Sequence, residues 1–517
     1  MTFLNLSIRM LSNLLARSLS FSNRSYGFVL IGAIFLSGFL SWQYQTGFRV
    51  GDGAVKQQQL ADLVHNGFPD FSCRYSGAKF DPDFQFLPLD LKKGSTMTHV
   101  YNGKCYYVFP FYYTAIQYPF ALLFGRFGSY LLSLLFGILT LYSLYRISLL
   151  LKLSEKARSS FLAVLLLGSA FSLFATDLSE TVIAIYAVTE GIYFLLKEED
   201  SPSFKNYLFA GLLFGFAAFF RQEVILLAAG ISLVQFFRIY QKRTSVAFPF
   251  SFGLLLFVQA GINIAVVGHP LGSRGHLQSS SNYDLVAQLI YLSQLVFWGK
   301  GSLGLLGAYP ALLFAIRFRP RTINSLSQIL LGILVFILLS GLLTSTRFWQ
   351  GVLFGPRFLM TVLPFILVYL LSVLDQNWES LSKPAKGAAI LLLVYSIAGG
   401  LIFDRLYHKF TRSVVVEQAE LSKFSSETVV YRKGSVFLPS DSFSTPRAVF
   451  EINGPEQFDP LLEKLYETGT HKLTIIGFKD AYPREKLVPS SEKFEIVNRD
   501  FKQSPSINME TIEIRKK

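Results

Sequence analysis

Asp52 is the residue of this chain best placed to take a proton. It stands in the run Phe48-Arg49-Val50-Gly51-Asp52-Gly53-Ala54-Val55-Lys56, a few residues past the first apolar run, Tyr26 to about Gln43. Glycine on both sides lets the backbone bend and leaves room for a bulky molecule beside the carboxylate. The plainer reading of Gly-Asp-Gly is a turn with a helix N-cap. Other ionisable groups recur near apolar runs: Asp177 and Glu180, Arg221 and Glu223, His269, Arg274 and His276, then Lys300, Arg347 and Arg357. Charge at membrane depth is costly, which makes each a functional candidate. Snorkelled ends and structural ion pairs are the alternatives, most directly for Arg221 with Glu223. A carboxylate facing a cavity with arginines nearby suits group transfer from a phosphate-linked donor. The carboxylate would take a proton from an acceptor hydroxyl or amine, and the arginines would hold the phosphate leaving group in bidentate fashion.

These residues need a membrane frame to meet. Of 517 residues 51% are hydrophobic, 15% aromatic and only 16% charged. Apolar runs of about 15 to 22 residues alternate with short basic punctuation, the pattern of an α-helical polytopic membrane protein. The formal charge of +14 sits mainly in short loops beside apolar runs, which argues against a nucleic-acid partner. Residues 1–25 carry leucines interspersed with Arg9, Arg17 and Arg24 and read as a basic amphipathic segment on the inner leaflet.

Taken in order, the first span leaves the N-terminus cytoplasmic and puts a large external loop at 45–128. Within that loop, Asp62 lies further along the short helix that Asp52 starts and is expected to be a neutral control position. Tyr106 to Gly125 is aromatic but interrupted by Pro110 and Pro119, so an interfacial helix is expected. Spans then run Gly128–Tyr145, Phe161–Ala175 and Thr181–Leu196. Asn206–Phe237 is too long for one crossing and must turn near Arg221-Gln222-Glu223. Further spans are Ala247–Val267, Leu303–Ile316, Ile329–Leu343, Phe358–Leu374 and Gly387–Phe403, about eleven in all, with a second external loop at 268–300. Lys and Arg are concentrated in the loops assigned inside, as the positive-inside rule requires.

The membrane part therefore covers 26–405, and 406–517 read as a small soluble α/β module outside. Its strands are expected at Val429–Tyr431, Ala448–Ile452, Lys472–Phe478, Phe494–Val497 and Thr511–Ile514, with a helix at Pro455–Thr468. The two cysteines, Cys73 and Cys105, share the first loop and either form a disulfide or stay free. No metal-ligand spacing surrounds them and the six histidines form no cluster in sequence, so no cofactor is expected and a divalent metal has no support.

The order of parts resembles a C-type (GT-C) integral membrane glycosyltransferase, of the protein-mannosyltransferase and lipid A aminoarabinose-transferase kind. Four stretches carry the resemblance. Gly51-Asp52-Gly53 with Gln57-Gln58-Gln59-Leu60-Ala61-Asp62-Leu63 resembles the family's Asp-Glu, x, Tyr helix. Phe109-Pro110-Phe111-Tyr112-Tyr113 through Leu123-Phe124-Gly125 is similar to its Pro-Pro-Leu-x-Tyr segment. Gly211 through Gly215-Phe216-Ala217-Ala218-Phe219-Phe220-Arg221 looks like its Gly-x-x-x-Gly-x-Ala-x-x-x-Arg/Lys pattern. Gly355-Pro356-Arg357-Phe358-Leu359 to Leu363-Pro364 resembles its Gly-x-Arg-Tyr entry to a late span.

The resemblance implies an inverting transferase at the outer face of the inner membrane, using a polyprenyl-phosphate-linked sugar and a lipid, glycan or protein acceptor. It places the base at Asp52 and phosphate contacts at Arg221 and Arg357. Where the family has Asp-Glu this chain has Asp52-Gly53, so a second acid would come from Asp177 or Glu180. Where relatives often carry His or Lys before the proline this chain has Phe109, and Lys104 is close enough in sequence to substitute. Two rivals are weighed: a transporter or lipid flippase, which predicts internal repeats that are not found, and a non-catalytic scaffold in which Asp52 merely caps a helix.

Overall fold

A computed structural model describes residues 25–44, 52–90, 97–197, 203–236, 243–278, 284–299, 302–318, 324–343, 354–422, 427–433, 448–504 and 507–517. Gly51, Lys300, Arg347 and the amphipathic segment at 1–24 lie outside the described residues. The chain divides into two compact units, each gathered from three stretches. The first takes 1–42, 133–253 and 284–404; the second takes 43–132, 254–283 and 405–517.

The first unit is a helical bundle around Glu180–Lys197, whose residues are buried along most of its length. Two glycine contacts let its neighbours approach. A Cβ on Gly211 would lie 2.3 Å from the Phe248 carbonyl and 2.1 Å from Ser251 Oγ, so only glycine admits that crossing. Gly230 and Gly332 face each other between Glu223–Phe236 and Asn324–Leu343, the small-residue contact that membrane helices use. The long stretch expected to fold back does so, as Phe204–Ala218 and Glu223–Phe236 with the turn at 219–222.

Other spans differ from expectation. Phe161–Ala175 is broken: a helix at Glu155–Leu167 ends at Gly168 and a short one follows at Phe171–Thr176. A Cβ at Gly168 would meet the Val164 carbonyl at 2.8 Å and the Ile397 backbone at 3.2 Å, so the chain there is shaped by a tertiary contact. Leu303–Ile316 splits at Tyr309-Pro310 into Leu305–Ala308 and Leu312–Arg317, because proline cannot donate to the helix ladder. The stretch read as a loop at 268–300 contains an apolar helix, Leu285–Val296, N-capped by the Asp284 side chain. Four described helices are long and apolar enough to cross a membrane: Phe127–Leu150, Ala247–Val267, Leu326–Leu343 and Lys383–Lys409. The other apolar helices named by the same measure are shorter, 10–17 residues, so length and composition of the described residues do not confirm the expected count of about eleven spans.

The second unit is α/β. Strands β1 (Thr98–Tyr101) and β2 (Lys104–Tyr107) form an antiparallel hairpin, with His99 opposite Tyr106. A disulfide joins Cys73 to Cys105, Cα to Cα 5.1 Å, closing the first loop. The aromatic helix runs Phe111–Phe124, starting directly after Pro110. The C-terminal strands β3 (Thr428–Arg432), β4 (Ala448–Ile452), β5 (Lys472–Phe478), β6 (Phe494–Gln503) and β7 (Ile507–Lys516) make one sheet in the order β4-β3-β5-β7-β6. The β3 strand is parallel to β4 and β5, whereas β7 is antiparallel to its neighbours. Leading into it, one helix of 40 residues, Lys383–Ser422, continues well past the expected end of the last span.

The sheet does not close its core alone. Phe458, Leu461, Leu462 and Leu465, at helical spacing on Phe458–Glu467, cover one face together with Tyr75, Phe86 and Leu87 of the first loop. A buried carboxylate fixes that loop: Asp81 accepts from Tyr75 Oη at 2.9 Å, from the Phe86 amide at 2.7 Å and from Lys464 Nζ at 3.0 Å. Each fully buried apolar side chain here contributes about 1.5–3 kcal/mol.

Candidate active site

Asp52 opens the helix Asp52–Asn66 and is half-buried. A carboxylate at a helix N-terminus is stabilised by the backbone dipole and by the open amides of the first turn. Lys56 follows one turn later, on the same face, and is almost wholly buried with its Nζ 4.9 Å from the centre of the Phe109 ring. Arg274 lies over the same ring, its guanidinium carbon 5.9 Å from the centre. Two cations thus meet around one aromatic side chain, a turn from the acid.

Two features hold that arrangement. Asp62, nearly three turns on from Asp52, is a buried anchor. It accepts from Tyr107 Oη at 2.6 Å, the Arg74 amide at 2.9 Å and Gln58 Nε2 at 2.8 Å, and Gln59 Nε2 donates to the Phe109 carbonyl at 3.3 Å. Burial raises the pKa of Asp62, and those hydrogen bonds work against the rise. Asp62 is therefore a structural residue, and the expectation of a neutral control fails on its hydrogen bonds. On the other side, the turn at Gly268 (φ +75°) packs on Tyr101 so closely that a Cβ there would lie 2.2 Å from the ring. That turn carries His269, Arg274 and His276 to the hairpin. Tyr112 Oη donates to Asn263 Oδ1 at 3.0 Å, and Asn263 Nδ2 donates to the Pro270 carbonyl at 2.9 Å.

Three histidines scattered in sequence become neighbours. The His99 and His276 rings are 4.9 Å apart and those of His269 and His276 5.1 Å. Burial, and then the nearby His276, pushes the pKa of His99 down to about 4. Among the described residues no group of three or more His, Cys, Asp or Glu is arranged to hold a metal ion. Lys104, the expected phosphate contact on this loop, is exposed on the hairpin and pairs with Asp70 at 3.4 Å.

In the first unit Arg221 is fully buried between two carboxylates. Its Nη1 is 3.6 Å from Glu180 Oε1, its other guanidinium nitrogens pair with Glu223 Oε1, and its guanidinium lies 5.7 Å from the Phe358 ring. Glu180, expected as a second acid, therefore serves as an Arg221 partner. Arg357 begins the short helical turn Arg357–Leu359 beside Phe358 and is half-buried. Asp177 ends the helix Phe171–Thr176, and its own carboxylate caps the Leu178 amide at 2.7 Å. Glu180, Arg221 and the segment after Pro356 are thus brought together, and Asp177 stands in the turn just before Glu180.

No protein-family model matches the chain, and no curated protein matches its sequence. Solved structures do match its fold. ArnT from Cupriavidus metallidurans, solved with undecaprenyl phosphate, aligns with a TM-score of 0.51 at 13% identity over 94% of this chain and 98% of its own. The Archaeoglobus fulgidus oligosaccharyltransferase in its apo form aligns with a TM-score of 0.50 at 10% identity, over 88% of this chain and 69% of its own. The fold is that of the GT-C glycosyltransferases.

Within this GT-C fold, the functional candidates missed in the sequence are Lys56 and Phe109. Lys56 sits in the quoted Gly-Asp-Gly run, but nothing local marks a lysine that will be buried against an aromatic ring from 53 residues away. Phe109 registered only as the absence of a basic residue before Pro110. The structure supplies that charge from elsewhere, as Lys56 and Arg274 over the ring.

Proposed function

We propose that this chain is an inverting membrane glycosyltransferase that moves a sugar from a polyprenyl-phosphate donor to a lipid, glycan or protein acceptor of the cell envelope, at the outer face of the inner membrane. The observation that carries the reading is Asp52 one helical turn from Lys56, with Arg274 across the Phe109 ring. Undecaprenyl phosphate bound to a protein of the same fold supports the donor class.

The step balances simply. An acceptor oxygen or nitrogen attacks the anomeric carbon, the bond from that carbon to the phosphate oxygen breaks, and polyprenyl phosphate leaves with the electron pair. Asp52 receives the acceptor proton. Lys56 and Arg274 bind the phosphate and offset its developing charge, beside a ring that limits competing water. The resemblance of its Gly-x-Arg segment to the family pattern supports Arg357 as a phosphate-holding residue. Arg221, held by Glu180 and Glu223, positions the segment bearing Phe358 and Arg357, and Asp177 stands in reserve as a second acid. Each of the last three roles is part of the proposal.

The test uses membranes, a polyprenyl-phosphate sugar and the cell's own acceptor pool. Asp52→Asn is expected to keep donor binding and lose about 10² to 10⁴-fold in turnover. Lys56→Ala and Arg274→Ala are expected to weaken donor binding as well as rate, and Glu379→Gln, which is exposed at 96%, to be near neutral. Turnover in Asp52→Asn equal to the unmodified protein would move the base elsewhere. No consumption of donor by the unmodified protein would remove the transferase reading and favour a scaffold.

A further inference from the structure

A cavity of about 850 Å³ opens in the first unit, between the helices Ser25–Tyr44, Arg126–Leu150 and Glu155–Leu167. Its walls are one face of each helix. Phe28, Ile31 and Phe35 recur at helical spacing on the first, and Leu162 and Leu166 at four-residue spacing on the last. At one end the lining turns polar, with Glu155, Arg158 and Ser159. No residue of the proposed transferase site contributes to it.

Its dimensions and chemistry fit a lipid. From Glu155 to Leu167 the helix has 13 residues, about 20 Å at 1.5 Å per residue. One leaflet's share of a bilayer core is about 15 Å, so the apolar wall is one leaflet deep with its polar end at the headgroups. The volume lies toward the upper part of the usual range for ligand pockets, about 300–1,000 Å³. The polar end carries both signs, Glu155 and Arg158, and Arg158 is the group there that can take a phosphate. Among the described residues its guanidinium meets only the Tyr145 ring, at 5.8 Å, and no carboxylate. A half-buried guanidinium at the mouth of an apolar groove offers its fork of N–H donors to a phosphate.

We propose that this groove binds one glycerophospholipid of the leaflet facing the basic segment 152–158, the turn and first helical residues that carry Lys152, Lys156 and Arg158, with an acyl chain along Phe28, Ile31, Leu162 and Leu166 and the phosphate on Arg158. A polyprenyl phosphate offers the same head, but its long methyl-branched chain would overrun a lining that ends at Phe35 and Leu167.

Native mass spectrometry of the full chain, purified in mild detergent and supplied with phosphatidylglycerol or phosphatidylethanolamine, tests this without any transferase assay. The unmodified protein should retain one phospholipid. Arg158→Ala should lower retention about tenfold, as loss of a charge-assisted hydrogen bond implies. Arg158→Lys should restore part of it, and Ala163→Trp, which fills the groove, should abolish it. Lys156→Ala, exposed on the same turn, should change nothing. Thermal unfolding of each variant separates lost lipid from lost fold, and Arg158 and Ala163 give independent routes to the same readout. Equal retention in the folded Arg158→Ala and Ala163→Trp proteins overturns the proposal. So does displacement of the phospholipid by an equal concentration of polyprenyl phosphate.

Discussion

Asp52 and Asp62 share one helix and have opposite surroundings, which separates chemistry from support at the level of single residues. Asp52 stands at the open N-terminus, whereas Asp62 is buried under three donors. Asp62→Asn turns one of the two acceptor oxygens into a donor, which then faces either the Tyr107 hydroxyl and Arg74 amide or Gln58 Nε2. It is expected to cost about 1–3 kcal/mol of stability and lower the thermal midpoint, while Asp52→Asn leaves the midpoint nearly unchanged. Matching midpoints in the two variants would show that the Asp62 hydrogen bonds do not anchor the helix. His99 gives a second measurement. Its folded pKa is depressed to about 4 from 6.5, so the unfolded chain binds the proton more readily. Its contribution is full above about pH 6.5 and is lost as pH falls toward 4. The thermal midpoint should therefore drop through that window, and drop less in His99→Phe. Parallel curves for the two proteins would assign the pH dependence to other groups. Asp52 drew attention in the sequence because glycines flank it just past the first apolar run. The cations beside it were not, since the Phe109 ring draws Lys56 and Arg274 from stretches far apart in sequence.

At the scale of elements, helix crossings depend on single side-chain hydrogens. Gly211→Ala would press a methyl group onto the Phe248 carbonyl and Ser251, whereas Gly253 has nothing within 4 Å of the same position. Gly211→Ala is expected to cost about 1–3 kcal/mol and to lower the thermal midpoint in detergent, with Gly253→Ala as the silent control. Equal midpoints would mean that the two helices can separate without loss. The same physics explains which elements were readable. The strands of the C-terminal sheet and its helix fall where expected, the last two strands running longer as Phe494–Gln503 and Ile507–Lys516, because alternation, turn residues and a terminal glycine are local signals. The turn at Arg221-Gln222-Glu223 was forced by length alone. Leu285–Val296 was missed because it is short and carries Gln288, Ser293 and Gln294, yet it packs against Gly341 through Leu292. At the break the Ile397 backbone lies against Gly168, a neighbour that no window around Gly168 contains.

For the whole molecule, the question is which side of the membrane each part occupies, and one core answers for two of them. Buried Cys105 belongs to the same apolar cluster as Val430, Phe450 and Ile475 of the C-terminal sheet, and Cys73 packs against it. The first loop and the sheet must therefore lie on one face of the membrane. A disulfide between those cysteines is expected only in an oxidising compartment, so the outer face is the side proposed for both. The concentration of Lys and Arg in the opposite loops points the same way from independent chemistry. Because both native cysteines are paired, an engineered thiol is the single reactive one. Thr468→Cys, exposed at the end of the helix Phe458–Glu467, should react with a membrane-impermeant maleimide in cells whose inner membrane is intact. Glu379→Cys, on the side expected to be cytoplasmic, should react only once that membrane is opened. The opposite pattern would invert the chain and place Asp52 and the Lys56–Arg274 pair in the cytoplasm. Reaction of both thiols without opening would place the two residues on one side, and the transfer would then need a donor presented on a face that the charge distribution does not predict.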